Sequence, residues 1–66
     1  MRGNNMSWIA VDRNGREYIH EFKPLKFSTC YEYGGALVCV PKGTAEKLTG
    51  SPMSWADEPR EVIEDE

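Results

Sequence analysis

The chain has 66 residues, with eight Lys and Arg against eleven Asp and Glu and a net charge of −3. A chain this short forms a single domain around a small core, since it buries only about 60% of the surface its unfolded form exposes. No apolar run exceeds Ala36–Pro41 and the basic residues are scattered, which excludes a membrane-spanning helix and speaks against direct nucleic-acid binding. Small scaffolds need a supplement to their core. With two cysteines and one histidine available, burial against another copy is the expected one, so a homo-oligomer is anticipated.

The stretch Met1–Met6 is too short and too polar for a signal peptide and reads as a disordered leader, with Met6 a candidate natural start. A cytoplasmic protein is expected. The domain should run over residues 7–63, followed by an acidic end at 64–66. Ser7–Val11 is β-branched and aromatic enough for a strand, and Asp12-Arg13-Asn14-Gly15 has the composition of a type I turn with Gly15 left-handed. A three-residue loop of this kind pairs Val11 with Glu17, Ala10 with Tyr18, Ile9 with Ile19 and Trp8 with His20. The competing two-residue turn at Asn14-Gly15 would set Asp12 beside Glu17 and Arg13 beside Arg16, two like-charge pairs that oppose it. In the preferred register Trp8, Ala10, Tyr18, His20 and Phe22 share one face. Ile9, Val11 and Ile19 lie with Glu17 and Glu21 on the other, which reads as half covered.

Lys23-Pro24 ends the second strand, because proline cannot donate to a ladder. Gly34-Gly35 then reads as a two-residue hairpin loop between strands at Lys26–Tyr33 and Ala36–Val40. This hairpin sets Cys30 opposite Cys39 at a non-hydrogen-bonded position, close enough for a cross-strand disulfide. Without a secretion signal two thiols serving as small apolar filler are expected. Its better core face carries Thr29, Tyr31, Tyr33, Ala36, Val38 and Val40. Pro41-Lys42-Gly43-Thr44 breaks the strand, with Thr44 as N-cap of a short helix over Ala45–Thr49 that Gly50 closes. Ala45 and Leu48 form its apolar edge. Arg60–Glu64 reads as a last edge strand with Val62 facing inward. The fold class is therefore α+β and mostly β: an antiparallel sheet of four or five strands, rolled or not into an SH3-like barrel, with one short helix before the last strand.

Charge is uneven along the chain. Residues 1–56 hold seven bases and five acids, a balance of +2, whereas Asp57–Glu66 holds six acids against Arg60, a balance of −5. An acidic end is commonly a solubility device, and it can also dock on a basic partner. His20 is the one candidate general base, yet no Ser, Cys, Asp or Glu follows the order of a known catalytic motif, so an enzyme is not expected. Cys30, Cys39 and His20 lack metal-site spacing, and neither metal nor cofactor is expected. Aromatic residues of so small a domain mostly fill its core. Any left exposed beside a base would anchor a protein or stack on a nucleobase. The candidate partner-binding or ligand-binding residues are Trp8, Tyr18, His20, Arg16, Lys23, Trp55, Asp57 and Glu58.

The pattern Trp8-Ile9-Ala10-x-Asp12-x-x-Gly15-x-Glu17-Tyr18, then Lys23-Pro24, Pro41-Lys42-Gly43-Thr44 with Glu46-Lys47-Leu48-x-Gly50, and Ser54-Trp55-x-Asp57-Glu58-Pro59, resembles short uncharacterised accessory proteins encoded by bacteriophages and prophages. The resemblance spans most of residues 6–62 and implies action in the cytoplasm of an infected bacterium. It implies a non-enzymatic viral protein that inhibits a host defence protein by stoichiometric binding, in the manner of anti-CRISPR proteins. An alternative it implies is a sponge that holds a signalling nucleotide between subunits, with Trp8, Tyr18 or His20 stacking on the base and Arg16 or Lys23 on the phosphate. A virion-associated structural module is a third reading.

Overall fold

The computed structural model describes residues 5–64. Strand β1 (Asn5–Val11) turns into β2 (Glu17–His20), two short strands β3 (Leu25–Lys26) and β4 (Tyr31–Glu32) follow, and β5 (Leu37–Val40), helix α1 (Thr44–Thr49) and β6 (Arg60–Glu64) complete the chain. The main sheet is antiparallel with the order β5-β2-β1-β6, and β3 pairs with β4 in a second, two-stranded sheet. The fold is thus mostly β with one helix before the last strand, and the sheet stays open rather than closing into a barrel. Asn5 and Met6, expected within a leader at 1–6, pair instead with Glu64 and Ile63 inside the sheet; residues 1–4 lie outside the described residues, as do 65 and 66 of the acidic end.

The first hairpin has the anticipated register, Trp8 with His20 through Val11 with Glu17. Asp12 N–H donates to Arg16 O at 2.8 Å, Gly15 N–H to Asp12 O at 2.9 Å, and Gly15 takes φ 91°, the left-handed value that a side chain disfavours. The second hairpin is not the one expected. Ala36–Val40 does not fold back on Lys26–Tyr33 but extends the main sheet along β2, pairing Leu37 with His20 and Val40 with Glu17. In the β3–β4 ladder Lys26 faces Tyr31, and in both ladders the paired residue numbers add to 57. The two ladders are therefore one long hairpin with its tip at Phe27–Cys30, where Phe27 N–H donates to Cys30 O at 2.8 Å. Cys39 consequently lies opposite Tyr18, not Cys30, and both cysteines are free.

The long hairpin is bent midway. Pro24 interrupts one arm, while on the other Tyr33 at φ 64° and Gly35 at φ 75° turn the chain sharply. Position 34 at this bend has no room for a side chain, because a Cβ there would stand 2.7 Å from His20 Nδ1 and 2.9 Å from His20 Cβ. The bend carries Tyr31 over the sheet, where its backbone N–H reaches Asp12 Oδ1 at 3.3 Å and its hydroxyl donates to Asp57 O at 3.1 Å. Of the core face expected for the second hairpin only Tyr31 is buried; Tyr33 and Val38 are exposed, because their strands do not meet each other.

The opposite face holds the main apolar cluster: Ile9, Ala45 and Val62, with Ile19, Val40 and Met53 packed against it. This face, expected to be half covered, is closed by α1, and Val62 points inward as anticipated. Leu48 is left largely in solvent, so Ala45 alone forms the buried side of the helix. Gly43, not Thr44, is the N-cap, at φ 95° and without a side chain to cap with. Thr44 begins the helix and turns its hydroxyl back to Pro41 O at 2.6 Å. The cap comes from the sheet: the buried Glu17 carboxylate accepts from Gly43 N–H at 2.9 Å and from Ala45 N–H at 2.8 Å. Acceptors of this kind satisfy amides that a helix start leaves without partners, and a negative group there also suits the helix dipole.

Replacing Glu17 by Ala strands two amides under the helix and should destabilise the domain by about 2 kcal/mol. Glu17→Gln keeps one acceptor and should fall between the two. Urea midpoints at neutral pH measure both; an alanine variant as stable as the parent would show that the helix is held by packing alone.

Candidate functional site

Register places Trp8, Ala10, Tyr18 and His20 on the face beneath the bent hairpin, joined by Leu37 and Cys39 of β5. Tyr18 and His20 lie 6.3 Å apart between ring centroids, and with Asp12, Tyr31 and Leu37 they line a cavity of about 190 Å³. His20 is 1% exposed and with Ile9 is among the largest fully buried side chains. Neither ring nitrogen has a hydrogen-bond partner. Burial holds its pKa below the ordinary value, and the Asp12 carboxylate opposes that only in part. Neither nitrogen is presented to solvent in this arrangement.

The remaining candidates are dispersed. Lys23 Nζ stands 5.5 Å from the centroid of the Trp8 ring, a cation–π contact at the rim of the sheet. Arg16 is exposed in the first turn, and neither Arg16 nor Lys23 lines the cavity at His20. Of the stacking and phosphate-holding groups expected of a nucleotide sponge, Trp8 and Lys23 are thus in contact, while Tyr18 and His20 line the cavity and Arg16 stands apart in the first turn. Trp55 packs edge-on against Tyr31 at 5.5 Å, and Lys26 Nζ sits 4.2 Å from its centroid while donating to Trp55 O at 2.7 Å. These contacts staple the hairpin tip to the 54–57 turn. Asp57 belongs to that turn: its carboxylate accepts from Ser54 N–H at 2.8 Å. The acidic segment is consequently a turn and a paired strand up to Glu64 rather than a free tail, and among its candidates Glu58 is the exposed one.

Cys30 Sγ donates to Glu32 Oε2 at 3.4 Å, and this bond, then burial and the Glu32 and Asp12 charges, push its pKa up. A thiol so held is a poor nucleophile. The Tyr31 hydroxyl is likewise raised, by burial first and then by Glu58, Asp12 and Asp57. Among the described residues no cluster of three His, Cys, Asp or Glu could hold a metal ion, and no helix is long and apolar enough to cross a membrane.

The bent hairpin carries an exposed aromatic contact, Phe27 on Tyr33, that sequence reasoning missed. Phe22, Leu25, Phe27 and Tyr33 are all exposed, Tyr33 at 74%, and the Phe27 and Tyr33 rings meet edge-on at 5.5 Å. The available signal was the apolar residues crowded around Lys23-Pro24 and Lys26, a segment too broken for a strand and too apolar for an idle loop. Compared with protein-family models, curated proteins and solved structures, the chain matches none.

The lowered pKa of His20 has a defined consequence for stability. The unfolded chain takes up the proton that the folded chain refuses, so stability is complete above about pH 6.5 and declines below it, by at most about 1.4 kcal/mol per pH unit, until the folded-state value is reached. His20 is the one histidine in the chain. Urea unfolding at about pH 7.5 and about pH 5.5 should therefore show a lower midpoint in acid for the parent and a much smaller change for His20→Leu. Equal acid sensitivity in both would place the titrating group elsewhere.

Proposed function

We propose that this protein acts without catalysis, by stoichiometric binding of a protein partner through the outer side of the bent hairpin. The exposed Phe27–Tyr33 pair carries this reading. A domain with so few core side chains leaves Phe22, Leu25, Phe27 and Tyr33 in solvent, and clustered exposed aromatics are the usual anchors of a protein interface. The sharp bend at Tyr33 and Gly35 and the Lys26–Trp55 staple hold these side chains on a rigid arm, which lowers the entropy lost on binding. The resemblance to bacteriophage accessory proteins makes a bacterial defence protein, met in the host cytoplasm, the partner class this reading names.

The test pairs binding with a phenotype. Expressed in bacteria that carry a defence system, the chain should restore phage plating and co-purify with one component of that system at equal stoichiometry. Phe27→Ala with Tyr33→Ala should lose both while keeping the parental circular dichroism. Restoration by the double variant, or no restoration across defence types, contradicts the proposal.

A further inference from the structure

The two edges of the main sheet are built differently. Strand β6 carries Arg60, Glu61 and Glu64 among its five residues, the charged composition that keeps an edge from pairing with another chain. Among the described residues strand β5 has a single neighbour, β2, and no such protection. From Tyr33 to Pro41 the chain holds no charged residue. Leu37 and Val38 are 52% and 55% exposed, and Cys39 is exposed as well.

The direction of the free backbone groups follows from the ladder. Glu21 N–H donates to Ala36 O at 2.8 Å, which makes that pair hydrogen-bonded. Bonded and non-bonded pairs alternate in an antiparallel ladder. Ile19–Val38 is therefore bonded too, while His20–Leu37 and Tyr18–Cys39 are not, so Leu37 and Cys39 turn their N–H and C=O groups outward.

From this arrangement we infer that β5 pairs with β5 of a second copy of the chain, antiparallel about a two-fold axis at Val38, to form a continuous eight-stranded sheet. In this register Leu37 faces the partner's Cys39 and Cys39 the partner's Leu37, and all four outward groups on each strand are used. Val38 meets the partner's Val38 on the helix side, and every cross-strand pair is apolar. Neighbouring registers are worse. A shift toward the C-terminus sets Leu37 against Pro41, which has no N–H and whose carbonyl already accepts from Thr44 N–H and Oγ1. A shift toward the N-terminus draws in Gly35, whose φ of 75° breaks the extended backbone a ladder needs. An isologous contact of this kind closes on itself as a dimer. The charged β6 edge is not engaged, which prevents growth into a filament.

Light scattering on the full chain should give twice the monomer mass at high concentration, falling toward the monomer on dilution. Val38→Lys places two like charges at the two-fold axis and should yield a monomer with the parental circular dichroism. Val38→Cys, made together with Cys30→Ser and Cys39→Ser, should form an intermolecular disulfide on mild oxidation, because a non-hydrogen-bonded pair sets the two Cα atoms about 4.5 Å apart. A parent that is monomeric at every concentration, a dimer that survives Val38→Lys, or a Val38→Cys protein that does not cross-link would each overturn the inference.

Discussion

Gly34 lies directly on the imidazole of His20, and the course of the chain after β2 depends on that contact. Any side chain at 34 would collide with the ring. Because none is there, the returning arm of the long hairpin can cross the sheet closely enough for Tyr31 to reach Asp12 and Asp57. The same crossing shields both nitrogens of His20 and delivers Leu37–Val40 to the outer edge of β2. Bend, buried histidine and free edge strand are three consequences of one missing Cβ.

So little apolar surface is buried that polar links do much of the positioning. Among the described residues the buried cluster on the helix side is Ile9, Ala45 and Val62, with Ile19, Val40 and Met53 packed against it. The Glu17 carboxylate locks the helix start to β2, and the Lys26–Trp55 and Tyr31–Asp57 bonds lock the hairpin tip to the 54–57 turn. Each replaces packing that a larger domain would draw from its interior. This is also why large side chains remain outside: Phe22, Phe27 and Tyr33 stand on an arm with no second layer to cover them. In the proposed function a partner supplies that layer.

The first hairpin and the last strand were legible because their signals are local. In Asp12-Arg13-Asn14-Gly15 the loop length, the left-handed glycine and the charge pairs agree on one register, and Val62-Ile63 is a β-branched pair set off by Pro59. Gly34-Gly35 misled because a glycine pair has two physical uses, a tight turn and a close approach, and only the three-dimensional neighbour distinguishes them. Locally, Tyr33 through Val40 satisfies a hairpin. Globally, Ala36–Val40 gains more by extending a sheet that already exists, with a polar tip at Ser28-Thr29. The cysteine pairing failed with that register. Trp8, Tyr18 and His20 were correctly placed on one face, but the sequence could not show that His20 is sealed away, since its cover comes from a segment assigned to another hairpin.

The decisive measurement is the cross-strand Hα–Hα pattern by NMR. The non-hydrogen-bonded pair Tyr18–Cys39 should give a strong Hα–Hα Overhauser contact, with a second between partners in the Lys26–Tyr31 region of the bent arm. A strong contact between Cys30 and Cys39 instead would mean that the chain reverses at Gly34-Gly35, and the bend, the sealed histidine and the open edge would all fall with it.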